Sequence, residues 1–167
     1  MSNESTSAAE ARARVTELAR AARVCMLTTI ALDGRQVSRP MGLQEAEFDG
    51  DLWFFASADS AKVRQIRVNP EVNVAFSDQR HNAWVSISGT ANEGFDRSRA
   101  DRLWSPVLKA WFPDGLDTSG LTMIKVHASS AEYWDSPSST VVNLLGFARA
   151  AVTGRPPEAG ENHEVTF

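Results

Sequence analysis

The sequence predicts a mainly β fold with helices, of the α+β class: a small antiparallel barrel of about six strands decorated by about four helices. Two patterns carry this expectation. Short apolar or alternating segments recur at Val24–Leu32, Leu52–Phe55, Val72–Phe76 and Trp84–Ala91. The turn dipeptides Asp33-Gly34 and Asp49-Gly50 join neighbouring segments locally, which favours antiparallel pairing over an alternating parallel α/β unit. Size agrees, because 167 residues make one ordinary domain. A chain of that length buries roughly 68–70% of its unfolded surface and needs no disulfide or metal staple.

Taken in order, Ser7-Ala8-Ala9-Glu10 has capping-box spacing, and Val15, Leu18, Ala19 and Ala22 recur at helical spacing, so residues 8–22 read as an amphipathic helix. Val24–Leu32 is a strand ending at Asp33-Gly34, and a second strand returns through Arg35–Gln44. Beyond Asp49-Gly50, Leu52-Trp53-Phe54-Phe55 has the composition of a buried strand, completing a meander. Asp59 or Ser60 caps a short helix that Asn69-Pro70 stops near Val68. Val72–Phe76 alternates strictly, as does Trp84–Ala91, where Gly89 marks a bulge or a close backbone approach. Asp96–Trp104 is helical, and Ser105-Pro106 opens a second short helix. After a loop over Trp111–Gly120, Leu121–His127 and Ala131–Trp134 read as the last two strands. Val141, Val142, Leu144, Leu145, Ala148 and Val152 outline a closing helix. Residues 1–155 are expected to form a single domain and 156–167 a polar tail.

Composition removes several function classes. Seventeen Lys and Arg against 21 Asp and Glu give a net charge of −4, the wrong balance for a broad nucleic-acid surface. The longest apolar run, Leu52–Ala56, is far shorter than a membrane helix requires. No signal peptide is recognised, and the single Cys25 cannot form an internal disulfide, so a reducing, cytoplasmic setting is expected. Cys25 lies within an apolar strand and reads as an inert core thiol. His81, His127 and His163 are scattered, with no partners at metal-ligand spacing, so no metal is expected. No nucleophile elbow, P-loop or dinucleotide fingerprint is present, and no residue stands out as a general base.

Three short segments remain. Ser57-Ala58-Asp59-Ser60-Ala61-Lys62 runs from an apolar strand into a helix. A helix N-terminus offers free N–H groups and the positive end of the dipole, to which Ser57 and Ser60 add hydroxyls and Lys62 a cation in the first turn. That set suits a phosphate. The plainer alternative makes Ser60 a simple cap and Lys62 a solvated surface residue. Arg39-Pro40-Met41 lies mid-strand, and proline confines such a strand to an edge or a bulge. Free backbone groups beside a guanidinium fork suit a planar phosphorylated ligand, whereas an ion-paired Arg39 on a protected edge is the competing reading. Trp111-Phe112-Pro113 enters a loop, where an exposed tryptophan would be free to cover a ligand or a partner subunit.

In this order the segments Met26-Leu27-Thr28-Thr29, Asp33-Gly34, Ser38-Arg39-Pro40-Met41, Gly50-Asp51-Leu52-Trp53-Phe54-Phe55 and Ser60-Ala61-Lys62 resemble the pyridoxamine 5′-phosphate oxidase-like, FMN-binding split-barrel superfamily. Trp84–Ala91, Leu103-Trp104, Ala110-Trp111-Phe112-Pro113 and Ala131-Glu132-Tyr133-Trp134 are similar to its general stress protein 26 branch. The resemblance implies a six-stranded antiparallel split barrel that forms a homodimer with FMN at the interface. It implies that Arg39 and Lys62 hold the phosphate with Ser60 and Ser57. Backbone groups of Pro40, Met41, Trp53 and Phe54 would line the isoalloxazine, and Trp111 and Trp84 would reach the flavin of the other protomer. The activity implied is that of a flavin-dependent oxidoreductase on a small molecule, in a stress response. A non-catalytic protein that stores, senses or delivers FMN, and a split barrel using deazaflavin or haem, are the alternatives. The pyridoxamine phosphate oxidases proper carry a longer C-terminal region with substrate-binding Arg and His. This sequence instead ends in Thr153-Gly154-Arg155-Pro156-Pro157 and an acidic tail, so that particular oxidation is not expected.

Overall fold

A computed structural model of the chain describes residues 2–44, 50–79, 82–135 and 161–166. Seven strands and three α-helices are found among them: α1 (Ser2–Ala21), β1 (Val24–Ile30), β2 (Gln36–Gly42), β3 (Asp51–Ser57), α2 (Ala61–Val68), β4 (Glu71–Asp78), β5 (Ala83–Glu93), α3 (Arg97–Leu103), β6 (Leu121–Asp135) and β7 (Glu161–Thr166). Short 3-10 turns cover Pro106–Ala110 and Gly115–Asp117. Every pairing is antiparallel, in the order β2-β1-β4-β5-β6-β3, with β7 also on β6.

The β1–β2 hairpin closes as the turn chemistry predicts. Gly34 takes φ 84°, the Gly34 N–H donates to the Ala31 carbonyl, and Asp33 accepts from the Arg35 N–H and guanidinium. The meander expected to follow does not form. β3 leaves β2 and pairs with β6 over Asp51↔His127 to Ser57↔Leu121, while β1 pairs with β4 instead. The sheet curls until its two edge strands, β2 and β3, approach each other without a ladder between them. This unpaired seam is the split of the barrel. Pro40 lies on the β2 edge, and the β1–β2 register runs through it without a bulge.

Three further readings are revised. α1 begins at Ser2, so Ser7 and Glu10 lie inside the helix rather than capping it. The last two strands are one, β6, whose irregularity is taken up by a register shift at Ser88/Gly89. A Cβ on Gly89 would stand 2.1 Å from the His127 carbonyl oxygen, so the bulge requires glycine. Residues 161–166, within the stretch read as a polar tail, form β7 against Ser130–Asp135. Arg12 of α1 donates to the Thr166 carbonyl at 2.8 Å and ties that strand to the first helix. The closing helix expected over 141–152 lies outside the described residues.

Alternation along the strands builds the core. Cys25, Leu27, Phe54, Val72, Val74, Val85, Ile87, Ile124 and Val126 point inward, and Val15 and Leu18 of α1 and Val63 and Ile66 of α2 pack onto them. A second cluster lies on the other face of β3 and β6, where Phe55, Leu121 and Met123 meet Ala100, Leu108, Trp104 and Phe112. Phe55 and Trp104 meet edge to face at 5.4 Å.

Candidate functional site

On β2, Ser38 and Pro40 face outward and are exposed, whereas Val37, Arg39 and Met41 face the core side. The alternation therefore turns a guanidinium inward, beside the buried face of β1, where Leu27 and Thr29 are fully buried. Arg39 Nη1 donates to Thr29 Oγ1 at 2.6 Å and to the Leu27 carbonyl at 3.3 Å. Its Nη2 donates to Gln65 Oε1 of α2 at 3.1 Å, and Thr29 Oγ1 donates to the same oxygen at 2.6 Å. Burial lowers the pKa of Arg39, though a guanidinium stays charged.

The segment leaving β3 forms the other side of the seam. Ala58 N–H donates to the Gly120 carbonyl, and Ser60 N–H folds back to that of Ser57, which sets the start of α2. Ser60 occupies the N-cap position without making a side-chain cap bond. Its hydroxyl is buried, and among the described residues it is the one buried side-chain polar atom with no hydrogen-bond partner. Two residues on, Lys62 is half-buried rather than solvated. Burial first, and then the like charge of Arg39, hold its ammonium pKa below the ordinary lysine value. Ser57 is engaged elsewhere, donating to the Asp59 carboxylate.

Several other cations among the described residues pair with carboxylates. Arg67 pairs with Glu93 at 2.9 Å, Arg97 with Asp117 at 2.7 Å and Lys125 with Asp51 at 2.7 Å. Arg64, also in α2, donates to the Asp59 carbonyl. Among the described residues neither Arg39 nor Lys62 meets a carboxylate. Two half-buried cations that repel one another, with an unpartnered buried hydroxyl two residues before one of them, could hold an anion.

The remaining predicted residues are more dispersed. Met41 is buried and Phe54 is fully buried in the core, so for Phe54 only the backbone is left to face a ligand. Trp53 lies half-buried on the opposite face of β3, with the Arg99 guanidinium 4.4 Å and the Lys125 ammonium 5.5 Å from its ring. Trp84 is exposed at the start of β5, and Trp111 is 69% exposed beyond the 3-10 turn. Among the described residues no hydrogen bond or ring contact joins either tryptophan to Arg39, Ser60 or Lys62.

Thr29 and Gln65 are the residues that the sequence reading passed over. A signal existed for both. Thr29 continues the inward alternation of Cys25 and Leu27, and Gln65 falls three residues after Lys62, on the same helix face. Asp51 is a further one. Burial alone would raise its pKa, but hydrogen bonds from Lys125 and His127 prevail and lower it. That cluster satisfies itself. Cys25 donates to the Met41 carbonyl at 3.6 Å, and burial pushes its thiol up to about 12.

A family profile described as pyridoxamine 5′-phosphate oxidase like matches residues 10–158. The chain belongs to the pyridoxamine 5′-phosphate oxidase-like family. Among curated relatives, protein bli-3 of Neurospora crassa is 29% identical over 150 residues, covering 84% of this chain and 72% of that one. The general stress protein 26 structure of Jannaschia sp. CCS1 superposes with a TM-score of 0.76 at 24% identity, over 95% of this chain and 99% of that one, and shows the split-barrel fold. A general stress FMN/FAD binding protein of Xanthomonas citri is 32% identical, with a TM-score of 0.66 over 75% of this chain and 89% of its own. Arg39 and Lys62 lie near enough for their charges to interact.

Proposed function

We propose that this family member binds FMN through its phosphate and works as a homodimeric, cytoplasmic flavin-dependent oxidoreductase on a small molecule. The observation that carries the reading is the uncompensated pair Arg39 and Lys62 beside the unpartnered buried hydroxyl of Ser60. A phosphate monoester dianion answers all three at once: it neutralises two cations and accepts from the hydroxyl and from the free N–H groups opening α2. Ser57 joins when its hydroxyl turns from Asp59. Backbone groups of Pro40, Met41, Trp53 and Phe54 would flank the ring system, with Trp111 and Trp84 approaching from the partner. The FMN/FAD binding name of the Xanthomonas citri protein supports a flavin as the ligand.

Bound flavin would supply the hydride- or electron-accepting centre, and the protein's own part is binding, orientation and electrostatics. Arg39 and Lys62 hold the phosphate end, and the inward-facing network keeps Arg39 fixed. Among the described residues no histidine, cysteine or carboxylate bonds to the Arg39–Thr29–Gln65 network. A second reading, in which the protein stores, senses or delivers FMN without turnover, uses the same phosphate contacts. Titration with FMN and riboflavin, followed by anaerobic mixing with NADH and NADPH, decides between them. FMN is expected to bind more tightly than riboflavin, and equal affinities would sink the phosphate assignment. Reduction of the bound flavin supports the enzyme, and flavin that neither donor reduces supports the carrier.

A further inference from the structure

The structure assigns Thr29 and Gln65 a role of their own: they are positioning residues that commit one edge of the Arg39 guanidinium and leave the other edge as a two-pronged receptor for a phosphate monoester. The inference rests on the phosphate reading above and specifies how the protein distinguishes a phosphorylated flavin from its dephosphorylated form.

A guanidinium has five N–H donors in one plane and no acceptor. Three are accounted for here. Both Nη1 hydrogens are used, on the Leu27 carbonyl at 3.3 Å and on Thr29 Oγ1 at 2.6 Å. One Nη2 hydrogen is used on Gln65 Oε1 at 3.1 Å. The two side-chain acceptors are themselves 2.6 Å apart, so they bridge the end of the fork where Nη1 and Nη2 lie side by side. What remains, by the planarity of the group, is the Nε–H and the adjacent second Nη2–H. Among the described residues these two have no partner. They are parallel and spaced to grip two oxygens of one phosphate.

The polarity of the network is fixed as well. Arg39 offers only donors, so Thr29 must accept from it and place its own hydrogen elsewhere, on Gln65. Gln65 therefore turns its carbonyl oxygen, not its amide nitrogen, toward both neighbours. A neutral amide at this position holds the arginine without cancelling its charge. A carboxylate would make the same contacts and neutralise it. The choice of glutamine over glutamate is thus what keeps the site selective for an anion. Thr29 is fully buried and Gln65 is half-buried on a helix anchored in the core by Val63 and Ile66, so the clamp is rigid before any ligand arrives.

The test is the ratio of FMN to riboflavin affinity, measured by flavin titration of the full-length wild-type protein and of Gln65→Glu, Thr29→Val and Thr29→Ser. Gln65→Glu is expected to lower the FMN preference roughly tenfold to a hundredfold, the loss of one charge-assisted contact to the ligand, with riboflavin affinity unchanged. Its thermal unfolding midpoint should hold or rise, because the new carboxylate pairs with Arg39. Thr29→Val should lower the preference too, and Thr29→Ser should restore it. A merely structural role would instead lower both affinities and the unfolding midpoint together. Wild-type selectivity that survives in both Gln65→Glu and Thr29→Val overturns the positioning role and leaves the phosphate site standing. A wild-type protein that binds FMN and riboflavin equally overturns the phosphate site itself. Inorganic phosphate, which should compete with FMN but not with riboflavin, separates the two failures independently.

Discussion

Lys62 shows how a residue proposed to bind ligand can be at odds with the fold that carries it. Burial and Arg39 both disfavour its charged form, so its folded-state pKa lies below its unfolded one. A lysine shifted in that direction stabilises the fold fully only above its unfolded pKa, and that contribution is lost as pH falls through the folded value. At neutral pH the ligand-free protein therefore holds a disfavoured cation. Lys62→Met should raise the unfolding midpoint of the ligand-free protein by about 2–4 °C, given a gain of at most about 1 kcal/mol for a half-exposed group. The same change should weaken FMN binding roughly tenfold to a hundredfold. In the wild type, affinity for FMN should decline as pH rises through the lowered Lys62 pKa, and Lys62→Arg should flatten that decline. Differential scanning calorimetry and titrations across the alkaline range check both arms. An unfolding midpoint that falls in Lys62→Met, which keeps an unbranched apolar stem, would show that the ammonium is a net stabilising group and overturn this account. This tension is invisible in the sequence. Ser-x-Lys at a helix start is legible, but only the inward turn of Arg39 on β2 reveals that Lys62 has a like charge for a neighbour. Ser60 is the same kind of case: its position at the cap was readable, and the lack of a cap bond was not.

Among the elements, those set by local chemistry were legible and those set by long-range pairing were not. The Asp33-Gly34 hairpin and the Asn69-Pro70 stop after α2 both follow from residues within a few positions. The partner of β3 does not, because an apolar strand with both faces covered looks alike beside β2 or beside β6. In sequence β6 looks like two strands because Ala128, Ser129 and Ser130 interrupt its apolar pattern, and the physical cause lies across the sheet at Gly89. That glycine supports an element-scale prediction. Its missing Cβ would stand 2.1 Å from the His127 oxygen and 3.1 Å from the Ala128 Cα, both backbone atoms that cannot swing aside. Gly89→Ala should therefore destabilise the protein by at least about 2 kcal/mol, as overpacking of a fixed backbone does. Urea denaturation checks it. A change under about 0.5 kcal/mol would mean that the bulge relaxes freely, and that β5 and β6 hold their register by other contacts.

For the whole molecule the net charge of −4 describes the surface and conceals the site. Arg39, Lys62, Arg64 and Arg67 fall within 29 residues, yet the fold draws Arg67 to Glu93 and sets Arg64 beside Asp59, while Arg39 and Lys62 meet no carboxylate among the described residues. The proposed ring end of the ligand is a different matter, since Trp111 is 69% exposed and makes no described contact with the phosphate cluster of its own chain. In the proposed homodimer each site takes Arg39, Ser60 and Lys62 from one protomer and Trp111 from its partner. Two defective proteins should then rescue each other. Lys62→Ala and Trp111→Ala homodimers, each binding FMN weakly, are unfolded together and refolded, or co-expressed. In every mixed dimer one site combines the intact Lys62 of one chain with the intact Trp111 of the other, while the second site carries both defects. Random pairing makes about half the dimers mixed, so about a quarter of all sites should regain wild-type affinity in a flavin titration. The recovered fraction is a count of sites and does not depend on how much each substitution weakens binding, which separates it from partial rescue by refolding alone. A mixture that behaves as the average of its two parents would place Trp111 on the same chain's site, or outside the site altogether.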